Sequence, residues 1–179
     1  MTKRIMIIAT NGFEQSELEE PKKRLEEAGF ETVVTSPESG QITGWDEKDW
    51  GSPVDVDLAL DEARSDDFDA LLLPGGQINP DVLRLNEKVI KLVQEFDEAR
   101  KPIAAICHAP WLLIEADIVR GRLVTSWPSV RTDLENAGAK VIDQNVAVDD
   151  NLITSRNPDD IPAFSDTLIA ALQEQLETL

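Results

Sequence analysis

Short apolar runs recur along the chain, separated by stretches in which apolar positions fall three and four residues apart. The run Ile5-Met6-Ile7-Ile8-Ala9 lacks polar alternation, which predicts a strand buried on both faces. A helix is expected next, with Pro21 in its first turn, Leu25 and Ala28 facing inward and Gly29 closing it. Residues 31–35 supply a second strand. The stretch 37–53 holds Gly40, Gly44, Gly51, Trp45 and Trp50, and reads as an irregular excursion or a small hairpin. Ala70-Leu71-Leu72-Leu73 is another buried strand, stopped by Pro74-Gly75-Gly76. Val89, Ile90, Leu92, Val93 and Phe96 then mark one face of a helix. Residues 103–106 form the next strand and 110–116 the next helix. Shorter strands are predicted at 123–125, 140–142, 146–148 and 152–155. A last helix starts near residue 161, with Phe164, Leu168, Leu172 and Leu176 on one face.

Strands alternating with helices predict α/β layering, a mostly parallel sheet covered on both faces. No internal repeat, low-complexity tract or long linker divides the chain. Its 179 residues, 41% of them hydrophobic, suit a single domain spanning 1–179.

Charge narrows the partners. Asp and Glu total 35 against 17 Lys and Arg, a formal net charge of −18. Such a surface repels phosphate backbones and anionic membranes, so neither nucleic-acid nor membrane binding is expected. The same acid excess is what adaptation to a salt-rich cell interior produces. No run approaches the roughly 20 apolar residues of a membrane span. The apolar run 5–9 is too short for a secretory leader, and a cytoplasmic location is expected. With one cysteine, Cys107, no intrachain disulfide can form.

That cysteine falls where a strand ends at Ile106 and a helix is pre-set to begin at Pro110. The order Ala105-Ile106-Cys107-His108-Ala109 is small–x–nucleophile–x–small, the pattern of a nucleophile elbow with a strained backbone. The N-terminus of the following helix favours thiolate. Sites in parallel sheets also lie beyond the carboxyl ends of strands. A lone intracellular cysteine is otherwise a small buried hydrophobe, and the corner placement is what argues for chemistry here. His108 is the one histidine, so any Cys–His dyad within a chain must use it; otherwise it is a capping or solvent-facing side chain.

Two further groups accompany the elbow. Gly75 and Gly76 follow a buried strand, where backbone amides can approach a ligand as in an oxyanion site, although Pro-Gly-Gly is also plain turn chemistry. Glu14 follows the first strand. It reaches the same sheet edge as Cys107 if that strand is central, and beside a thiolate it must carry a proton. No set of ligands suggests a metal, and neither Gly-x-Gly-x-x-Gly nor a phosphate loop suggests a nucleotide, so no cofactor is expected.

In its Gly12-Phe13-Glu14, the stretch from Phe68 to Gly76, Leu83-Arg84 with Glu87-Lys88, and Ala105-Ile106-Cys107-His108, the chain resembles the PfpI (intracellular protease I-like) family. Further matches are Ile118 to Arg122, Asn136 to Ala139 and Thr154 to Asp160. The wider superfamily includes the Parkinsonism-associated DJ protein. The resemblance implies a flavodoxin-like sandwich assembled as a dimer or a hexamer. It implies Cys107 as nucleophile, Glu14 as the protonated partner of its sulfur and His108 as the neighbouring imidazole. Amides at Gly75, at Gly76 and after Cys107 then form the oxyanion site. Asp81 occupies the place from which an adjoining subunit's acid orients the histidine, where archaeal relatives carry the longer Glu. Trp127 stands near the nucleophile where some relatives place a tyrosine, and the chain has no tyrosine.

The implied activity is cysteine-dependent attack on reactive carbonyls: small dicarbonyls, giving a hydroxy acid without glutathione, or glycated proteins, giving deglycation. An intracellular cysteine peptidase is the alternative within the family. From another class comes a non-enzymatic redox sensor or chaperone-like stress protein using reversible oxidation of Cys107.

Overall fold

The computed structural model describes residues 1–177. Strands β1 (Arg4–Ile8), β2 (Glu31–Ser36), a β3–β4 hairpin (Gln41–Asp46, Asp49–Asp55) and β5 (Leu58–Ala59) make up the first third, with α1 (Gln15–Glu27) between β1 and β2. Then follow β6 (Ala70–Leu73), α2 (Ile78–Leu83), α3 (Glu87–Glu98), β7 (Ile103–Ile106) and α4 (Pro110–Glu115). The chain continues through β8 (Leu123–Val124), α5 (Arg131–Asn136), β9 (Lys140–Val141), β10 (Ala147–Asp149), β11 (Leu152–Ser155) and α6 (Ile161–Glu177).

Seven strands form the central sheet in the order β10-β11-β7-β6-β1-β2-β5. All neighbours are parallel except the edge pair β10–β11. The period-two alternation of each strand divides its side chains between two cores. Ile5, Ile7, Leu72 and Ala104 pack under α1 and α6 through Leu18, Leu25, Phe164 and Leu168. Met6, Ile8, Leu71 and Leu73 pack under α3 and α4 through Leu92, Phe96, Leu112 and Leu113. Both faces are therefore covered, which is why these strands read as continuous apolar runs. β1 connects to β2 on one side while the chain later returns to its other side at β6. The carboxyl ends of β1 and β6 thus form the switch point where such sheets open a crevice.

The structure corrects several expectations. Helix α1 begins at Gln15, so Pro21 lies in its interior, and Ala28 is an exposed C-cap. Pro21 has no N–H, which leaves the carbonyl of Glu17 without its helix donor. For the stretch 37–53 the structure bears out the hairpin of the two readings, a two-stranded sheet of its own. Strands β8 and β9 pair with each other in a separate two-stranded sheet. Leu176, expected on the buried face of the last helix, is 44% exposed. The short helices α2 and α5, six residues each, have too little periodicity to announce themselves.

Candidate functional site

Three turns at the carboxyl ends of β7, β6 and β1 build the site. Cys107 leaves β7 at φ 66°, a left-handed conformation that costs an L-residue about 1–2 kcal/mol. The corner is held at both ends: Cys107 N–H donates to the Ser155 carbonyl at 3.0 Å, and the Cys107 carbonyl accepts from Trp127 N–H at 2.9 Å. Strain at a pinned, non-glycine position is the signature of the elbow expected from the sequence.

The sulfur is buried, with Cys107 only 5% exposed. His108 Nδ1 stands 3.2 Å from Sγ. Burial pushes the thiol up, and Glu17 pushes it further once it ionises; the backbone amides of Gly76 and His108 face the sulfur and pull the other way. His108 is itself buried beneath two indoles. Trp127 stacks on it at 5.7 Å between ring centroids, and Trp111 meets it edge-on at 5.1 Å. Burial lowers its basicity, so the imidazole is neutral at pH 7.

The acid beside the sulfur is Glu17, and Glu14 is not in that place. Glu17 is fully buried, and its Oε1 accepts from Gly75 N–H at 3.0 Å. Burial above all, then the charge of Glu14, pushes its carboxyl up to about 8, against the pull of Gly75, Cys107 and Gly76. It holds its proton at neutral pH. Glu14 is instead the N-cap of α1, half-buried and turned toward Asp46 and Glu47 of the hairpin. Its own carboxyl is pushed up by burial first and by those two acids next. A residue at the cap and one in the first turn point in different directions, and only the latter looks back to the sheet edge. The missed signal was the register of Glu17, Leu18, Pro21 and Leu25, the buried face of a helix that starts earlier than Pro21 suggests.

Gly75 also departs from expectation, because its amide is committed to Glu17 and is unavailable to a substrate oxygen. The amides directed at the Cys107 sulfur are those of Gly76 and His108. Gly76 sits at φ 84°, and a Cβ there would fall 2.7 Å from both Glu14 N and Gly12 O, so only glycine fits. Trp127 is brought to the site, by its ring and by its amide. Asp81 is exposed on α2, and among the described residues no hydrogen bond or ion pair joins it to His108. Among the described residues no cluster of three or more His, Cys, Asp or Glu is arranged to hold a metal ion.

The sequence matches the model of the DJ-1/PfpI family over residues 3–171. The chain belongs to the DJ-1/PfpI family. General stress protein 18 of Bacillus subtilis (strain 168) is 45% identical over 175 residues, 97% of this chain and all of that protein. Deglycase TK1284 of Thermococcus kodakarensis is 43% identical over 170 residues, 95% of this chain and 99% of that protein. Among solved structures, a two-domain protein from Anabaena variabilis, with DJ-1/ThiJ/PfpI-like and ferritin-like domains, superposes with a TM-score of 0.91 at 35% identity. That match takes in 96% of this chain but 48% of the larger protein, so this chain spans about half of it. The flavodoxin-like sandwich expected from the sequence is the fold of this family. No helix among the described residues is long and apolar enough to cross a membrane.

Proposed function

We propose that this member of the family is a cysteine-dependent enzyme acting on reactive carbonyls. The observation that carries the reading is a fully buried Glu17 set against the sulfur of Cys107, its carboxyl pushed up to about 8 by burial. Beside a neutral Glu17 the sulfur loses an adjacent negative charge and gains an O–H donor, which lowers the cost of ionising it. Neutral His108, 3.2 Å away through Nδ1, takes the thiol proton. The thiolate adds to the aldehyde of a small dicarbonyl such as methylglyoxal, and the carbonyl oxygen gains a proton to give a hemithioacetal. His108 and Glu17 then move one proton from the former aldehyde carbon to the neighbouring carbon through an enediol, leaving a thioester. Water cleaves the thioester, so that dicarbonyl and water become one hydroxy acid and the thiol is restored.

A cysteine only 5% exposed suits a small carbonyl and disfavours the peptide bond of an extended chain. Glycated side chains present the same small carbonyl, and deglycation is the related activity of this site. Self-association belongs to the same reading: Ile78, Val82 and Leu85 are exposed apolar residues on and just after α2, with Asp81 among them. The test is hydroxy-acid formation from methylglyoxal without glutathione. Formation by the wild type and its loss in Cys107→Ala support the reading. Undiminished dicarbonyl consumption in Cys107→Ala means scavenging by surface Arg and Lys, and overturns it.

A further inference from the structure

The buried amide of Asn79 bridges the two strand ends that enclose the site. Asn79 is fully buried on α2, a six-residue helix that also buries Pro80 and Leu83 and exposes Ile78, Asp81 and Val82. Its Oδ1 accepts from Thr10 N–H at 2.8 Å, just past the carboxyl end of β1. Its Nδ2 donates to the Pro74 carbonyl at 2.9 Å and the Gly75 carbonyl at 3.3 Å, just past the end of β6. One side chain thus satisfies a donor on one loop and two acceptors on the other, a task that needs an amide's opposite ends. The Gly75 carbonyl also accepts from Glu14 N–H at 3.2 Å, tying this peptide to the cap of α1. The peptides held in this way are the ones that matter to the sulfur: Gly75 N–H fixes Glu17, and Gly76 N–H faces Cys107.

We propose that Asn79 is a positioning residue, which sets the Gly75 and Gly76 amides, and through them the Glu17 carboxyl, against the Cys107 sulfur. This builds on the carbonyl chemistry proposed above, yet it concerns the thiol itself. No atom of Asn79 takes part in the reaction. Its role follows from the low tolerance of such sites, where a displacement of about 1 Å costs on the order of 10²-fold in rate.

The experiment is the pH dependence of Cys107 alkylation by iodoacetamide, run beside dicarbonyl turnover, for Asn79→Ser, Asn79→Asp and Leu83→Ala. A serine hydroxyl is too short to span Thr10 and Pro74. An aspartate keeps the size but sets an oxygen against the carbonyls that Nδ2 now satisfies. Leu83→Ala opens the core under the same helix without touching either loop, and controls for simple destabilisation. Expected for both Asn79 variants are a higher midpoint of alkylation and a fall of about 10–100-fold in kcat, with KM little changed. Leu83→Ala should lower the melting temperature and leave the midpoint in place. An unchanged midpoint in Asn79→Ser, or an equal shift in Leu83→Ala, overturns the proposal. If the wild type forms no hydroxy acid, the carbonyl reading fails while the alkylation profiles still decide the role of Asn79.

Discussion

Gly75 donates its amide to Oε1 of Glu17 at 3.0 Å, and this bond turns an acid from the first turn of α1 toward the elbow cysteine. The carbonyl of the same residue accepts from Glu14 N–H, so β6 and α1 meet through one residue that has no side chain to keep them apart.

The consequence for Glu17 is measurable in two ways. Its carboxyl titrates near 4.5 in an unfolded chain and about 8 in the fold, so the native state holds an extra proton between those values. Its contribution to stability is complete below about 4.5 and is lost as pH rises through about 8. The melting temperature of the wild type should fall across that window more steeply than that of Glu17→Gln, as read by calorimetry. The glutamine keeps the shape and can donate to sulfur but has no proton to transfer. It should lower kcat by roughly 10²-fold or more while leaving Cys107 open to alkylation. Parallel pH profiles of stability in the two proteins would contradict the buried, proton-bearing acid.

Backbone strain at Cys107 gives a second prediction. At φ 66° an alanine keeps the conformational cost of a Cβ, and a glycine does not. Cys107→Gly should therefore be more stable than Cys107→Ala by about 0.5–1 kcal/mol in urea unfolding, the reverse of the order at an ordinary position. Both should be inactive. An alanine variant as stable as the glycine would mean that the corner relaxes once the sulfur is gone.

His108 owes its low basicity to burial, and two indoles are part of what covers it. Trp127→Ala removes the stacked ring and admits water to the imidazole, so the histidine midpoint followed by NMR should rise toward 6.5. Turnover near pH 6 should fall more than turnover at pH 8, because a larger fraction of the base is then protonated. An unmoved histidine midpoint would assign its environment to Trp111 and the protein interior alone.

What the sequence made legible follows from where the information is local. The corner at Cys107 was readable, since strand, small neighbours and Pro110 all lie within a few residues of it. Gly76 was readable for the same reason, as a turn residue whose φ of 84° needs glycine. The identity of the acid was not, because Pro21 imitates a helix start while the real N-terminus is set by tertiary contacts of Phe13 and Glu14 with the hairpin, including Trp45 N–H to the Phe13 carbonyl at 2.7 Å. Putting Pro21 in the first turn starts the helix too late, which moves Glu17 off the helix face and leaves Glu14 as the apparent partner. Asn79 was invisible in the same sense: its three partners lie 69, 5 and 4 residues away, and only the sheet brings the farthest of them close.

Crowding and conformational strain can be separated at two glycines. A Cβ on Gly75 would lie 2.5 Å from Glu17 Oε1, 2.5 Å from the Ile106 carbonyl oxygen and 2.6 Å from Cys107 Cβ. Two of these atoms belong to the elbow itself and cannot withdraw without unpinning it, and the third belongs to the acid that faces the thiol. Gly121 has φ 74° but nothing within 4 Å of an added Cβ, so alanine there meets only the backbone cost. Gly75→Ala should cost about 3 kcal/mol, the upper range for overpacking, and should abolish turnover even under conditions where the protein remains folded. Gly121→Ala should cost roughly 1 kcal/mol and leave kcat unchanged. The pair is to be compared by urea unfolding and dicarbonyl turnover. A mild, active Gly75→Ala would mean that the acid and the thiol have room to move apart, and the close packing of β6 against the elbow would then not be what holds them together.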